Sequence, residues 1–243
     1  RQELGDTFGL WRAGKPVIFV RDPTTVRQVL LSEEFGKTWD SEDASGALAD
    51  YVTNLIQPML KRTVFGMHAD ANLERRAVLR PLFQEPEVFV GAVEAAVLAE
   101  LRLWPDQGVV DAQERAHDLV KACVLTVLCG EFAPRCRGCL PTFHRVMGYF
   151  VRRYSSPGHD QTVTPDDDRM MSALLDASRA VVVGYREISS GLDDSALEDV
   201  TRHCLLQIYM SNGYSDDEMA ATFTNVMIAA GEAPGSVLAQ LVE

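Results

Sequence analysis

An acid, a proline and three small residues stand together near the C-terminal end of the chain: Ala229-Ala230-Gly231-Glu232, with Pro234 two places on. Small residues strip side chains from one patch of a helix and let a flat ligand or another backbone approach. Pro234 cannot donate to the carbonyl of Ala230, and its ring presses on that turn, which predicts a kinked or widened helix. An acid beside such an opening could hand protons to a bound cofactor, which makes Glu232 a catalytic candidate. The plainer alternative is that Ala-Ala-Gly marks a close helix crossing and Glu232 is a solvated side chain. On this segment alone the plainer alternative is favoured.

A second set of residues could hold a metal. Cys129, Cys136, Cys139 and His144 include one Cys-x-x-Cys turn and a nearby imidazole. Structural zinc wants two paired-ligand elements and only one pair is present, so buried or free thiols are the expectation and no metal ligand is assigned. His68, His117, His159 and His203 are isolated along the chain, and no phosphate loop or Ser/His/Asp arrangement stands out. Five cysteines, without the even spacing of a secreted disulfide scaffold, suggest a reducing intracellular compartment, cytoplasmic or organellar.

These residues need elements to position them. Phe8, Leu10 and Trp11 form one short apolar run and Val17-Ile18-Phe19-Val20 a second, on either side of a turn at Ala13-Gly14-Lys15-Pro16, and together they read as a hairpin. Asp22-Pro23 supplies an N-cap and a first-turn proline for a helix carrying Val26, Val29 and Leu30. Helical signals follow over 72–83, from Pro86 to about Leu103, and over 111–130, where Leu119, Ala122, Cys123, Val127 and Leu128 set a buried period. Residues 154–168 read as a loop, with Thr164-Pro165 capping the helix beyond it. Ser195-x-x-Glu198 and Ser215-x-x-Glu218 are capping boxes. The second starts a final helix that runs to the chain end, about 43 Å long. The expected fold class is mainly α with one small β-hairpin, in a single partial domain over 1–243: hairpin and first helix in 1–35, a helical part in 36–243.

The chain has 243 residues, 47% of them hydrophobic, enough to build a packed core and to exclude disorder as its general state. Lys and Arg number 23 against 35 Asp and Glu, a net charge of −12 that argues against nucleic acid as a partner. No apolar run approaches the ~18–20 residues of a membrane span. The chain opens on RQELGDTFGL without an initiating Met and stops inside a helical pattern, so a longer polypeptide is expected.

Four stretches, taken in order, resemble the N-terminal half of the cytochrome P-450 family. GDTFGLWRAGKPVIFVRDPTTVRQVLLSEEF is similar to its first hairpin and following helix, and RRAVLRPLF to its Arg-rich helix ending in Pro-x-Phe. VVDAQERAHDLVKACVLTVLCGEF resembles a helix ending in a Phe-Gly-type turn. NGYSDDEMAATFTNVMIAAGEAPGSVL resembles the long central helix with its Ala-Gly-x-Glu-Thr-Thr core. The resemblance implies a heme-thiolate monooxygenase that oxidises an apolar small molecule with O2. An electron-donor protein is implied as its partner, with helices near 138–190 roofing the substrate pocket. Arg76 falls at the family's propionate-binding Arg and Asn72 at its second propionate contact. Ala230 and Gly231 fall on the distal heme face, and Glu232 at the family's acid position. The basic cluster of Lys61, Arg62, Arg75 and Arg80 would lie on the face that meets the electron donor, or would simply be solvated.

The departures are also specific. Ala233 and Pro234 replace the Thr pair that supports oxygen activation, leaving Glu232 or water to deliver protons, or pointing to peroxide or rearrangement chemistry. The family's Glu-x-x-Arg pair and heme-ligating Cys loop follow the central helix, beyond these residues. Heme would therefore require a further C-terminal half. Phe132-Ala-Pro-Arg135-Cys136-Arg137-Gly138-Cys139 mimics the ligand-loop spacing but carries Arg135 where a Gly is needed, on the wrong side of the central helix. The alternative to an enzyme is a non-catalytic helical subunit of a larger assembly, derived from the same fold.

Overall fold

The computed structural model describes residues 7–12, 15–31, 69–105, 108–155, 163–191 and 204–242. The hairpin expected at the start is present. Strand β1 (Thr7–Arg12) pairs antiparallel with β2 (Lys15–Val20), and Phe8 faces Phe19 across the ladder with their rings stacked at 5.3 Å. Helix α1 (Pro23–Leu31) follows, and Asp22 caps it by accepting from the Thr25 amide and hydroxyl, both at 2.7 Å. That pair of hydrogen bonds holds the Asp22 carboxyl below its ordinary value.

The remaining described elements are helical: α2 (Ala69–Gln84), α3 (Val90–Leu101) behind a 3₁₀ turn at Pro86–Phe89, and α4 (Ala112–Cys129). Three short turns (Gly130–Phe132, Ala133–Cys136 and Arg137–Cys139) lead to α5 (Leu140–Ser155), α6 (Pro165–Ser190), α7 (Leu205–Ser211) and α8 (Asp216–Val242). Local chemistry explains most of the boundaries. Asp111 accepts from the Glu114 amide at 3.0 Å and opens α4, and Gly130, at φ +59°, ends it in a conformation that favours glycine. Thr164 and Asp167 form a reciprocal capping box on α6, and Ser215 and Glu218 form another on α8. Residues 165–168, expected in a loop, are the first turn of α6: the three aspartates there suit the positive end of a helix better than a loop. The Ser195–Glu198 box, the hairpin turn at Ala13-Gly14, Lys61, Arg62, His68, His159 and His203 lie outside the described residues.

Helix α8 is the spine of the core. It packs most extensively on α4 and next on α6, while α5 lies against α6 and α7 touches both α2 and α4. Phe143, Phe223, Leu125, Leu128, Leu174, Leu206 and Met219 are fully enclosed between these helices. Each is worth about 2 kcal/mol as buried apolar surface. Phe143 and Phe223 meet edge to face at 6.2 Å, tying α5 to α8. Among the described residues no helix is long and apolar enough to cross a membrane.

Candidate functional site

One turn of α8 separates two cavities. Residues 230 and 232 are two places apart, about 200° around a helix, so they look in opposite directions. Ala230, with Ala229 and Val226, faces an apolar cavity of about 550 Å³. Its other walls are Arg76, Leu79 and Leu82 from α2, Val124, Val127 and Leu128 from α4, and Leu205 at the start of α7. Arg76 lies exposed at the edge of this otherwise apolar space and makes no hydrogen bond or ion pair among the described residues.

Glu232 does not line this cavity. It faces a polar pocket of about 480 Å³ together with His117, Lys121 and Glu114 from α4 and His144, Gly148 and Arg152 from α5. Its carboxylate meets the Lys121 ammonium at 2.7 Å and lies 3.6 Å from His117 Nδ1. The Lys121 side chain is 2% exposed and that of Glu232 25%, so Glu232 is an ion-pair partner and not a solvated side chain. Gly231 turns to the same side: a Cβ there would sit 3.1 Å from Lys121 Cγ. The small residues expected to act together are thus divided, the two alanines opening a cavity and the glycine admitting a lysine stem. Asn72 belongs to α2, but its side chain is outside the described residues.

Pro234 lies inside α8, which continues from Asp216 to Val242 as the single long helix expected there. Ser236 Oγ donates to the Glu232 carbonyl at 3.0 Å within this turn.

His117, taken from the sequence as isolated, and His144, weighed there with the cysteines, line the same pocket. His144 Nε2 lies 3.4 Å from Asp118. Burial and the Lys121 charge push His144 toward the neutral imidazole, and Asp118, Glu232 and Glu114 pull the other way without prevailing. The missed signal was a histidine and a lysine four places apart inside the buried stripe of α4. Ala116, His117, Lys121, Ala122, Leu125, Thr126, Leu128 and Cys129 are the enclosed positions, a stripe offset from the one read in the sequence.

Arg75 corrects a second expectation. It is buried and cannot be on an outer face for a partner, whereas Arg80 is exposed. Its guanidinium donates to Glu218 at 2.8 Å and lies over the Tyr214 ring at 3.9 Å and the Tyr209 ring at 5.4 Å. Burial works to raise the Glu218 carboxyl, but the Ser215 hydroxyl and amide and Arg75 together hold it below the usual range. This staple joins α2 to α7 and α8 and sets Arg76, the next residue, beside the cavity.

The cysteines are free thiols, four of them buried. Burial pushes Cys139 up to about 12 and raises Cys129 and Cys204, so these are packed thiols rather than thiolates. Cys136 alone is lowered, by a hydrogen bond from Cys129. None of the five lines the apolar cavity. Among the described residues no group of three or more His, Cys, Asp or Glu side chains is arranged to hold a metal ion.

The fold has a counterpart among solved structures. The chain is similar to retinoic acid-bound CYP120A1, a cyanobacterial cytochrome P-450, with a TM-score of 0.64 at 14% sequence identity. The fold is P-450-like. The match covers 95% of this chain and 50% of that one, so the chain spans half the length of its structural neighbour. The α-rich class with a small two-stranded sheet, expected from the sequence, is what the P-450 fold has over this half. No family model matches the chain, and no curated protein does.

Proposed function

We propose that this chain forms the distal half of a heme-thiolate monooxygenase that oxidises an apolar small molecule with O2. The observation that carries the reading is the apolar cavity with the Arg76 guanidinium, unpaired among the described residues, at its edge. Heme is a flat apolar macrocycle with carboxylates on one side, and those residues suit it: Ala229, Ala230 and Val226 leave a side-chain-poor wall, and Arg76 offers charge to a propionate. When bound, the heme would supply the activation of O2 and the insertion of one oxygen atom.

The chain's own residues do the rest in this reading. Leu79, Leu82, Val124 and Val127 exclude water and favour an apolar substrate. Arg76 orients the macrocycle, and Asn72 is the second contact. Gly231 serves the distal turn from the side of Lys121. Glu232 delivers protons only after its carboxylate leaves Lys121, because it otherwise faces the polar pocket. None of the five cysteines lines the cavity, so in this reading the thiolate that holds the iron would come from outside these residues. An electron-donor protein completes the system, and free thiols agree with a reducing compartment. A second reading, a non-catalytic helical subunit of a larger assembly, is favoured by the Ala233 and Pro234 replacements.

The test is hemin titration of the full-length apoprotein, followed by absorbance. Uptake of one heme, weakened by Arg76→Ala and abolished by Ala230→Phe, is the expected result. Absence of uptake, or uptake indifferent to Ala230→Phe, would support the second reading instead.

A further inference from the structure

Two residues of α4 grip four residues of α8. His117 and Lys121 lie four places apart, one above the other on the same face, and so do Gly231 and Gly235. The Lys121 stem runs over Gly231, where a Cβ would meet it at 3.1 Å. The His117 ring lies over Gly235, where a Cβ would come within 2.5 Å of Nδ1. The same two side chains reach Glu232, and His117 Nε2 is 3.5 Å from Ser236 Oγ.

This grip falls where α8 is least able to hold its own course. Pro234 deprives the Ala230 carbonyl of its helical donor, and the Ser236 hydroxyl competes for the Glu232 carbonyl. Gly231 and Gly235 add the two most permissive backbones of the segment. The rotation of residues 229–235 is therefore fixed from outside, by the α4 side chains, and the same rotation turns Ala229 and Ala230 to the apolar cavity.

From this geometry we infer that Lys121 is a positioning residue for the cavity. Anchored on Gly231 and Glu232, it holds the distal wall formed by Ala229 and Ala230 in the register that accepts a flat apolar ligand. The inference rests on the proposed heme reading, and a different result sinks it while leaving that reading in place. It assigns Lys121 no contact with the ligand.

The test compares hemin binding and the Soret maximum in the full-length protein and in Lys121→Met, Glu232→Gln and the double variant. Lys121→Met is expected to weaken hemin at least about tenfold and to move the Soret maximum, since misplacing a binding wall by ~1 Å has effects of that order. The double variant should bind no more weakly than Lys121→Met alone, because both substitutions break one contact. If Lys121→Met fails to fold, Gly231→Ala crowds the same stem and should give the same spectral shift. A Lys121→Met protein that melts earlier yet keeps hemin affinity within about twofold and an unmoved Soret maximum would overturn the inference, leaving Lys121 a stability residue. A wild-type protein that takes up no hemin would overturn the heme reading and this inference together.

Discussion

The two sides of the last helix use small residues to opposite ends. On one side Ala229 and Ala230 leave room, and none of the described elements fills it: the result is the apolar cavity beside Arg76. On the other side Gly231 and Gly235 leave room that α4 takes up at once with Lys121 and His117. The lesson is that a run of small residues does not by itself mean a ligand site. What the facing helix presents decides whether the gap stays open or becomes a crossing.

Lys121→Met should have the largest effect on the closed side. It leaves the Glu232 carboxylate without its partner in a largely enclosed place, so stability to urea should fall by about 3 kcal/mol. Gly235→Ala comes next, at about 2 kcal/mol, because the new methyl would sit on the His117 ring. Its control is Gly184→Ala in α6, where nothing lies within 4 Å and the change should stabilise by about 0.5 kcal/mol. If the two glycines responded alike, the close crossing would not be what holds residue 235.

The open side should behave differently. Arg76→Ala should leave stability within about 0.5 kcal/mol of the parent, since the side chain has no partner among the described residues, while weakening hemin binding. A large loss of stability there would mean the cavity edge is structural.

The capping and staple carboxylates set a smaller, pH-dependent term. Burial raises the Asp167 carboxyl, yet hydrogen bonds from the Thr164 amide and hydroxyl, from Tyr149 and from Arg153 outweigh it and hold it low, as Ser215 and Arg75 do for Glu218. A lowered folded-state value means stability that is complete above the ordinary carboxylate range and lost as pH falls through the folded value. Melting temperature should decline over about pH 5 to 2, and Asp167→Asn with Glu218→Gln should flatten that decline.

Much of the framework was legible because its signals are local. The Asp22 cap and the Ser215–Glu218 box each rest on residues within one helical turn, and the hairpin on two runs adjacent in the chain. The divided character of residues 229–235 was not legible, since it depends on α4, more than a hundred places earlier in the chain. The same is true of Arg75, whose partners are Glu218, Tyr209 and Tyr214. A lysine on the core stripe of α4 was the available hint, because an enclosed cation must find a counter-charge.

The most direct test is the intact mass and absorbance spectrum of the native polypeptide purified from its source. If the monooxygenase reading holds, the mass is well above the 26.9 kDa of these 243 residues and the protein carries a bound heme with a Soret band. A polypeptide near 26.9 kDa without heme would contradict it.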